Sequence, residues 1–162
     1  MSNALLVWLG LAPNGSPLEL GAPAPDASLY DLRGAAVSLR HFYGREFTFI
    51  YFFPKANTHG CTKQACSLRN DFEPLTGRGV TTVGISADRP DTQRRFSEKL
   101  GLPFILLADP ERRAVNAFGV PLLAGMPRRQ AFLFHGGVLV WRDLHAETTQ
   151  QAATVLRVLD QF

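Results

Sequence analysis

The chain has 162 residues, 46% of them hydrophobic, a net charge of +3 and two cysteines. That is enough apolar material for the core of one globular domain, and two cysteines are too few for a disulfide scaffold. The 17 basic residues are scattered. The pairs Arg94-Arg95 and Arg112-Arg113 read as solvated surface charge, and with Arg128-Arg129 they are too short for a nucleic-acid-binding tract.

Residues 1–19 read as a leader that packs on the body or frays, ahead of a single domain over residues 20–162. The apolar stretch 4–12 contains Gly10, is too short to span a bilayer, and has no Lys or Arg before it as a signal peptide would. No membrane partner and a cytoplasmic location are expected. Pro13-Asn-Gly-Ser-Pro17 is a turn-rich break. A β-hairpin follows, with arms at 27–30 and 36–39 and a turn at 31–34, and Ser38 is placed to cap a short helix reaching Tyr43.

Residues 47–53 (Phe-Thr-Phe-Ile-Tyr-Phe-Phe) predict a strand buried on both faces, stopped by Pro54. Gly60 permits a tight turn. A helix is predicted from about Cys61 to Leu75, then a strand over 80–86, a helix starting after Asp88 and stopped by Gly101, a strand over 104–108 and a helix over 110–118. Residues 130–134 and 138–142 predict a hairpin around Gly136-Gly137, and 148–162 an amphipathic closing helix. Strands alternating with helices, then a late hairpin, give an α/β architecture with a mixed central sheet flanked by helices.

Cys61 falls in the first turn of a helix at the carboxyl end of a central strand, where unpaired N–H groups and the helix dipole favour an anion such as a thiolate. Cys66 is five residues on. In an intact helix the two Cα atoms lie about 8.7 Å apart, beyond the roughly 4.4–6.8 Å that a disulfide spans. Two helical cysteines at this spacing bond only if the helix start unwinds. Plainer readings stand beside this one. Cys66, near Leu68 and Phe72, taken alone reads as an inert core residue. His59, Cys61 and Cys66 match no structural zinc spacing, and a thioredoxin-type oxidoreductase would carry Cys-x-x-Cys.

Pro54-x-x-x-Thr58-x-x-Cys61 resembles the peroxiredoxin signature, and Tyr51-Phe-Phe-Pro-Lys-Ala-Asn-Thr-His-Gly-Cys-Thr-Lys-Gln-Ala-Cys66 resembles the bacterioferritin-comigratory-protein, or Q-type, branch. Gly21-Ala-Pro-Ala-Pro-Asp26, Gly84-Ile-Ser-Ala-Asp88 and Arg129-Gln-Ala-Phe132-Leu extend the likeness over about residues 20–160. The resemblance implies a thioredoxin-like fold and a peroxidase without metal or cofactor. By the same resemblance Cys61 is peroxidatic and Cys66 resolving. Thr58 and Arg129 bind peroxide and activate the thiol, Pro54 shields the pocket, and Gln64 and Gly60 support them. A monomer recycled by thioredoxin or a similar dithiol is expected. The chain departs from the pattern at His59, where Pro is usual, at Phe134-His135, and in a short segment between Phe118 and Arg129.

An ordinary cysteine is about 3% thiolate at pH 7. Supplying more thiolate is worth only about one decade in rate, because a less basic sulfur is a weaker nucleophile. The larger share must come from aligning the peroxide oxygens with sulfur and stabilising the leaving oxygen. Arg129 rather than Arg128 is expected to face Cys61, since neighbours on a strand point to opposite faces. A peroxide sensor and a non-catalytic thioredoxin-fold binding module remain alternatives.

Overall fold

The structure is a computed structural model that describes residues 16–44 and 46–162. The apolar run forms β3 (Phe47–Phe52), every residue of it buried. Its side chains alternate, so Phe47, Phe49 and Tyr51 enter one core layer while Ile50 and Phe52 enter the other. A strand apolar on both faces must have cover on both, and it lies near the middle of a seven-stranded sheet. The remaining strands are β1 (Ser28–Tyr30), β2 (Ala36–Ser38), β4 (Val80–Ser86), β5 (Ile105–Ala108), β8 (Gln130–His135) and β9 (Val138–Asp143). Their order is β2-β1-β5-β4-β3-β8-β9. β3, β4 and β5 run parallel, and the hairpin strands at either side are antiparallel.

The helices are α1 (His59–Asn70), α2 (Phe72–Gly77), α3 (Pro90–Leu100), α4 (Arg113–Ala117) and α5 (Gln151–Leu159). Leu68 of α1, Leu75 of α2, Phe96 of α3 and Val155 of α5 cover the Tyr51 face, whereas Ala114 and Val115 of α4 cover the Phe52 face. This is the mixed sheet flanked by helices, with an N-terminal hairpin, that the sequence predicts.

Several boundaries differ, each for a local reason. The single helix expected over 61–75 is two, broken at Asp71. Pro74 has no N–H to donate, and its ring collides with a helical carbonyl four residues back. α4 starts at Arg113 rather than near Pro110, because the buried Asp109 carboxylate accepts the N–H groups of Arg113 (2.8 Å) and Val115 (3.0 Å). Burial pushes the Asp109 carboxyl up, and those N–H groups pull it down. Ser38 does not cap the short 3-10 helix Leu39–Phe42 with its side chain; its hydroxyl donates to Asp26 instead. α5 is also shorter at both ends than the periodicity suggests.

The segment between Phe118 and Arg129 holds a second hairpin that the sequence reading lacks, β6 (Leu122–Leu123) with β7 (Met126–Pro127). Ala124 and Gly125 turn it with φ of 52° and 77°. The Arg112 guanidinium ties it to the body by donating to the Gly125 carbonyl (2.9 Å), so this arginine is more than solvated charge. Arg95 and Arg113 make exposed ion pairs with Asp91 and Glu111.

Of the leader, only residues from Ser16 on lie within the described residues. Leu18 is buried in the Phe52 layer, and its carbonyl accepts from Arg142. Gly119 has φ of 64°, and a Cβ there would stand 1.8 Å from the Ser16 carbonyl oxygen. Gly119→Ala therefore strains the backbone and expels this segment, at an expected cost of at least about 2 kcal/mol. Denaturant unfolding checks this; an unchanged midpoint would contradict the packing.

Candidate active site

After β3 the chain passes the half-buried Pro54 and enters a loop that leads into α1. The left-handed residue of that loop is Asn57, with φ of 64°; asparagine tolerates this region better than most side chains. Gly60, expected to supply the tight turn, is instead helical. Asp88 pins the loop to the end of β4. Its Oδ2 accepts the Ala56 N–H at 2.8 Å and the Ser86 hydroxyl at 2.7 Å.

Thr58 is the N-cap of α1, exposed, with its hydroxyl donating to the Lys55 carbonyl at 2.8 Å. The activation of the thiol expected of Thr58 is not made by donation from this hydroxyl in this conformation, because its single proton is already committed to Lys55. Its lone pairs stay free to accept. The first helical bond runs from the Thr62 N–H to the Thr58 carbonyl (2.9 Å). The N–H groups of His59, Gly60 and Cys61 precede it and have no acceptor within the helix.

Cys61 is the third residue of α1 and is 2% exposed. The Nη2 group of Arg129 donates to its sulfur at 3.4 Å. Arg129 stands just before β8, in phase with Ala131 and Leu133, which share the core layer of Cys61; Arg128, out of phase, is exposed. The parity argument thus selects the arginine that makes the contact. Arg129 is held from both ends: its carbonyl accepts the Ala146 N–H (3.2 Å), and its Nη1 donates to Gln64 Oε1.

Gln64, one turn after Cys61, is completely buried, and its Nε2 donates to Oε1 of Gln151 at the start of α5. Gln151 has no signal in the sequence, since this contact joins residues 87 apart. Tyr51 is likewise buried beneath the site with its hydroxyl unpartnered. Burial and, secondarily, the Cys61 charge push that phenol up, so it stays neutral.

Gly60 is required for space. A Cβ there would stand 3.1 Å from Nη2 of Arg129 and 3.5 Å from the Thr148 methyl. Cys66 is half-buried in the same helix, and both thiols are free. His59 is exposed at the first helical position. Among the described residues no three His, Cys, Asp or Glu side chains form a metal-binding group, and no helix is long and apolar enough to cross a membrane.

A groove of about 400 Å³ opens beside Arg129 and Pro54, walled by Leu123, Met126, Leu144 and Ala146. Leu123, 60% exposed, belongs to the β6–β7 hairpin. The short segment between Phe118 and Arg129 therefore does shape the outer wall.

Gly60→Ala separates geometry from stability. Alanine favours the helix by about 1 kcal/mol, and the atom it meets is the movable end of an arginine. The expected result is an unchanged or raised Tm, with reaction of Cys61 with hydrogen peroxide slowed roughly tenfold or more. A variant as fast as the wild type would show that the guanidinium position is unimportant.

Residues 20–142 match the AhpC/TSA family. Over 105 residues the chain is 45% identical to Peroxiredoxin Bcp of Escherichia coli (strain K12), covering 65% of this chain and 67% of that protein. Among solved structures it is similar to peroxidoxin BcpB of Mycobacterium tuberculosis, with a TM-score of 0.82 and 26% identity over 90% of this chain and 98% of the other. It is also similar to the bacterioferritin comigratory protein of Xanthomonas campestris, whose structures concern alkyl peroxide reduction, with a TM-score of 0.78 and 27% identity over 89% and 96% of the two chains. The sheet is thus the thioredoxin-like sheet of peroxiredoxins, and with its buried cysteine under an arginine at a helix mouth this chain belongs to the AhpC/TSA family of thiol-dependent peroxidases.

Proposed function

We propose that Cys61 is the peroxidatic thiol, that Cys66 resolves it, and that thioredoxin or a similar dithiol recycles the disulfide. One observation carries this reading: the Arg129 guanidinium donates to the Cys61 sulfur at 3.4 Å at the open end of α1. A fixed cation there favours the thiolate and remains charged throughout.

The thiolate attacks the terminal oxygen of a hydroperoxide in line with the O–O bond. That bond breaks as the S–O bond forms, and the sulfur loses two electrons to become a sulfenic acid. The leaving hydroxide or alkoxide takes up a proton and departs as water or an alcohol. Arg129 and the free N–H groups of Gly60 and Cys61 stabilise the charge that gathers on oxygen. Thr58 accepts a hydrogen bond from the peroxide through its free lone pairs. Pro54 keeps water off the sulfur, and Gln64 and Gly60 keep the guanidinium in place.

Cys66 then attacks the sulfenic sulfur, an S–S bond replaces the S–O bond, and water leaves. Both cysteines lie inside α1, so this step requires its first turns to unwind. An external dithiol returns the two electrons. Hydrogen peroxide and small organic hydroperoxides are the substrates, the latter placing their carbon chain in the apolar groove beside Arg129. The unit that does this is a single domain over residues 20–162, monomeric and cytoplasmic.

Turnover coupled to thioredoxin and its reductase tests the assignments. Cys61→Ser is expected to abolish turnover. Cys66→Ser is expected to consume one equivalent of peroxide rapidly and then stall or overoxidise. Normal turnover by Cys66→Ser would remove the resolving role, and activity in Cys61→Ser would remove the reading altogether.

A further inference from the structure

Gln64 and Gln151 form a buried polar pair, 0% and 3% exposed. The direction of their hydrogen bonds is set by Arg129. A guanidinium only donates, so the Gln64 atom facing it must be Oε1. Gln64 Nε2 must then face Gln151, and the Gln151 atom that meets it must be Oε1. This leaves Gln151 Nε2 buried with no partner. An orphaned buried amide N–H is costly, and here it is the terminal consequence of orienting the arginine.

The position of Gln64 in the chain gives this pair a second role. It lies between Cys61 and Cys66, in the stretch of α1 that has to unwind before the two sulfurs can meet. One turn later, Ser67 donates to the Thr149 carbonyl (3.0 Å), fastening the next part of α1 to the same start of α5. The bonds that unwinding must break, besides those of the helix itself, therefore include Arg129–Gln64 and Gln64–Gln151.

We propose that Gln151 is a positioning residue for the peroxidase site: acting through Gln64, it fixes Arg129 against Cys61 and holds closed the turns of α1 whose unwinding admits Cys66. The inference rests on the proposed resolving role of Cys66. It gives the sulfenic acid a lifetime. While the latch is closed, a second hydroperoxide can transfer its terminal oxygen to the sulfenate, leaving a sulfinic acid and water or an alcohol. When it opens, disulfide formation wins. The strength of one interhelical hydrogen bond thus sets the partition between recycling and overoxidation.

Two variants test it. Gln151→Met keeps the volume and removes the acceptor; Gln151→Glu keeps an acceptor for Gln64 Nε2. In reduced Gln151→Met, amide hydrogen exchange in the peptide covering residues 60–66 is expected to quicken about threefold to tenfold, the effect of one buried hydrogen bond. Peptides from β3 and β4 should be unchanged. At fixed peroxide excess, the fraction of Cys61 carried to sulfinic acid should fall by a similar factor. Gln151→Glu should behave as wild type in both measurements.

Unchanged exchange in Gln151→Met, or acceleration spread equally over β3 and β4, would overturn the proposal, as would Gln151→Glu exchanging as fast as Gln151→Met. If Gln151→Met does not fold, Gln151→Ala decides, with exchange at residues 60–66 quickened while β3 and β4 stay unchanged as the supporting result and unchanged exchange at residues 60–66 as the contrary one. Failure of the resolving assignment reads differently: the wild type itself would form no Cys61–Cys66 disulfide, whereas exchange in the reduced protein does not depend on that bond.

Discussion

A guanidinium resting on a sulfur is the contact around which this molecule is arranged. Arg129 reaches Cys61 at 3.4 Å because two unrelated parts of the chain converge there, the turn into β8 and the mouth of α1. Each nearby feature serves that meeting. Gly60 leaves the space, Ala146 fastens the arginine backbone, Gln64 holds the other guanidinium nitrogen, and Asp88 pins the loop from which α1 departs. A charge shielded from water acts on its neighbour more strongly than one in solvent, so burying Cys61 strengthens the contact.

Burial sets up a conflict. The packing that brings Arg129 onto Cys61 also encloses that sulfur in the same helix as Cys66, five residues on. Cys61 sits in the first turn of α1, the part of a helix with the fewest backbone bonds to lose, whereas Cys66 is the eighth of its twelve residues. The rest of α1 is secured further on, by Leu68 in the core and by Ser67 and Arg69 through hydrogen bonds to Thr149 and Leu100. Local opening can then stay local, at a free energy below that of global unfolding.

Much of this is legible in the sequence. The apolar run of β3, the Gly136-Gly137 hairpin and the Gly101 stop each carry a strong local signal, and two-residue periodicity selected Arg129 over Arg128. The break at Asp71 was also written in the chain, in Pro74, but the helical pattern around it masked the proline. Other features had no local signal. Ala124-Gly125 is a weak turn pair, so the β6–β7 hairpin was missed. Gly60 reads as a turn residue, although it is helical and leaves room for an arginine 69 positions later. The Gln64–Gln151 pair joins distant helices; the family resemblance marks Gln64, but nothing in the sequence marks Gln151. Sequence patterns report local conformation and the face a residue takes; they do not report which polar group meets which across the core.

The rate constant for reaction of Cys61 with hydrogen peroxide in Arg129→Met, measured by stopped flow against wild type, tests the central contact most directly. Methionine fills much of the same space but neither donates nor carries charge, so the account predicts a fall of about a hundredfold or more, the usual consequence of losing a donor to a developing oxyanion. A rate constant equal to that of the wild type in the folded variant would contradict it.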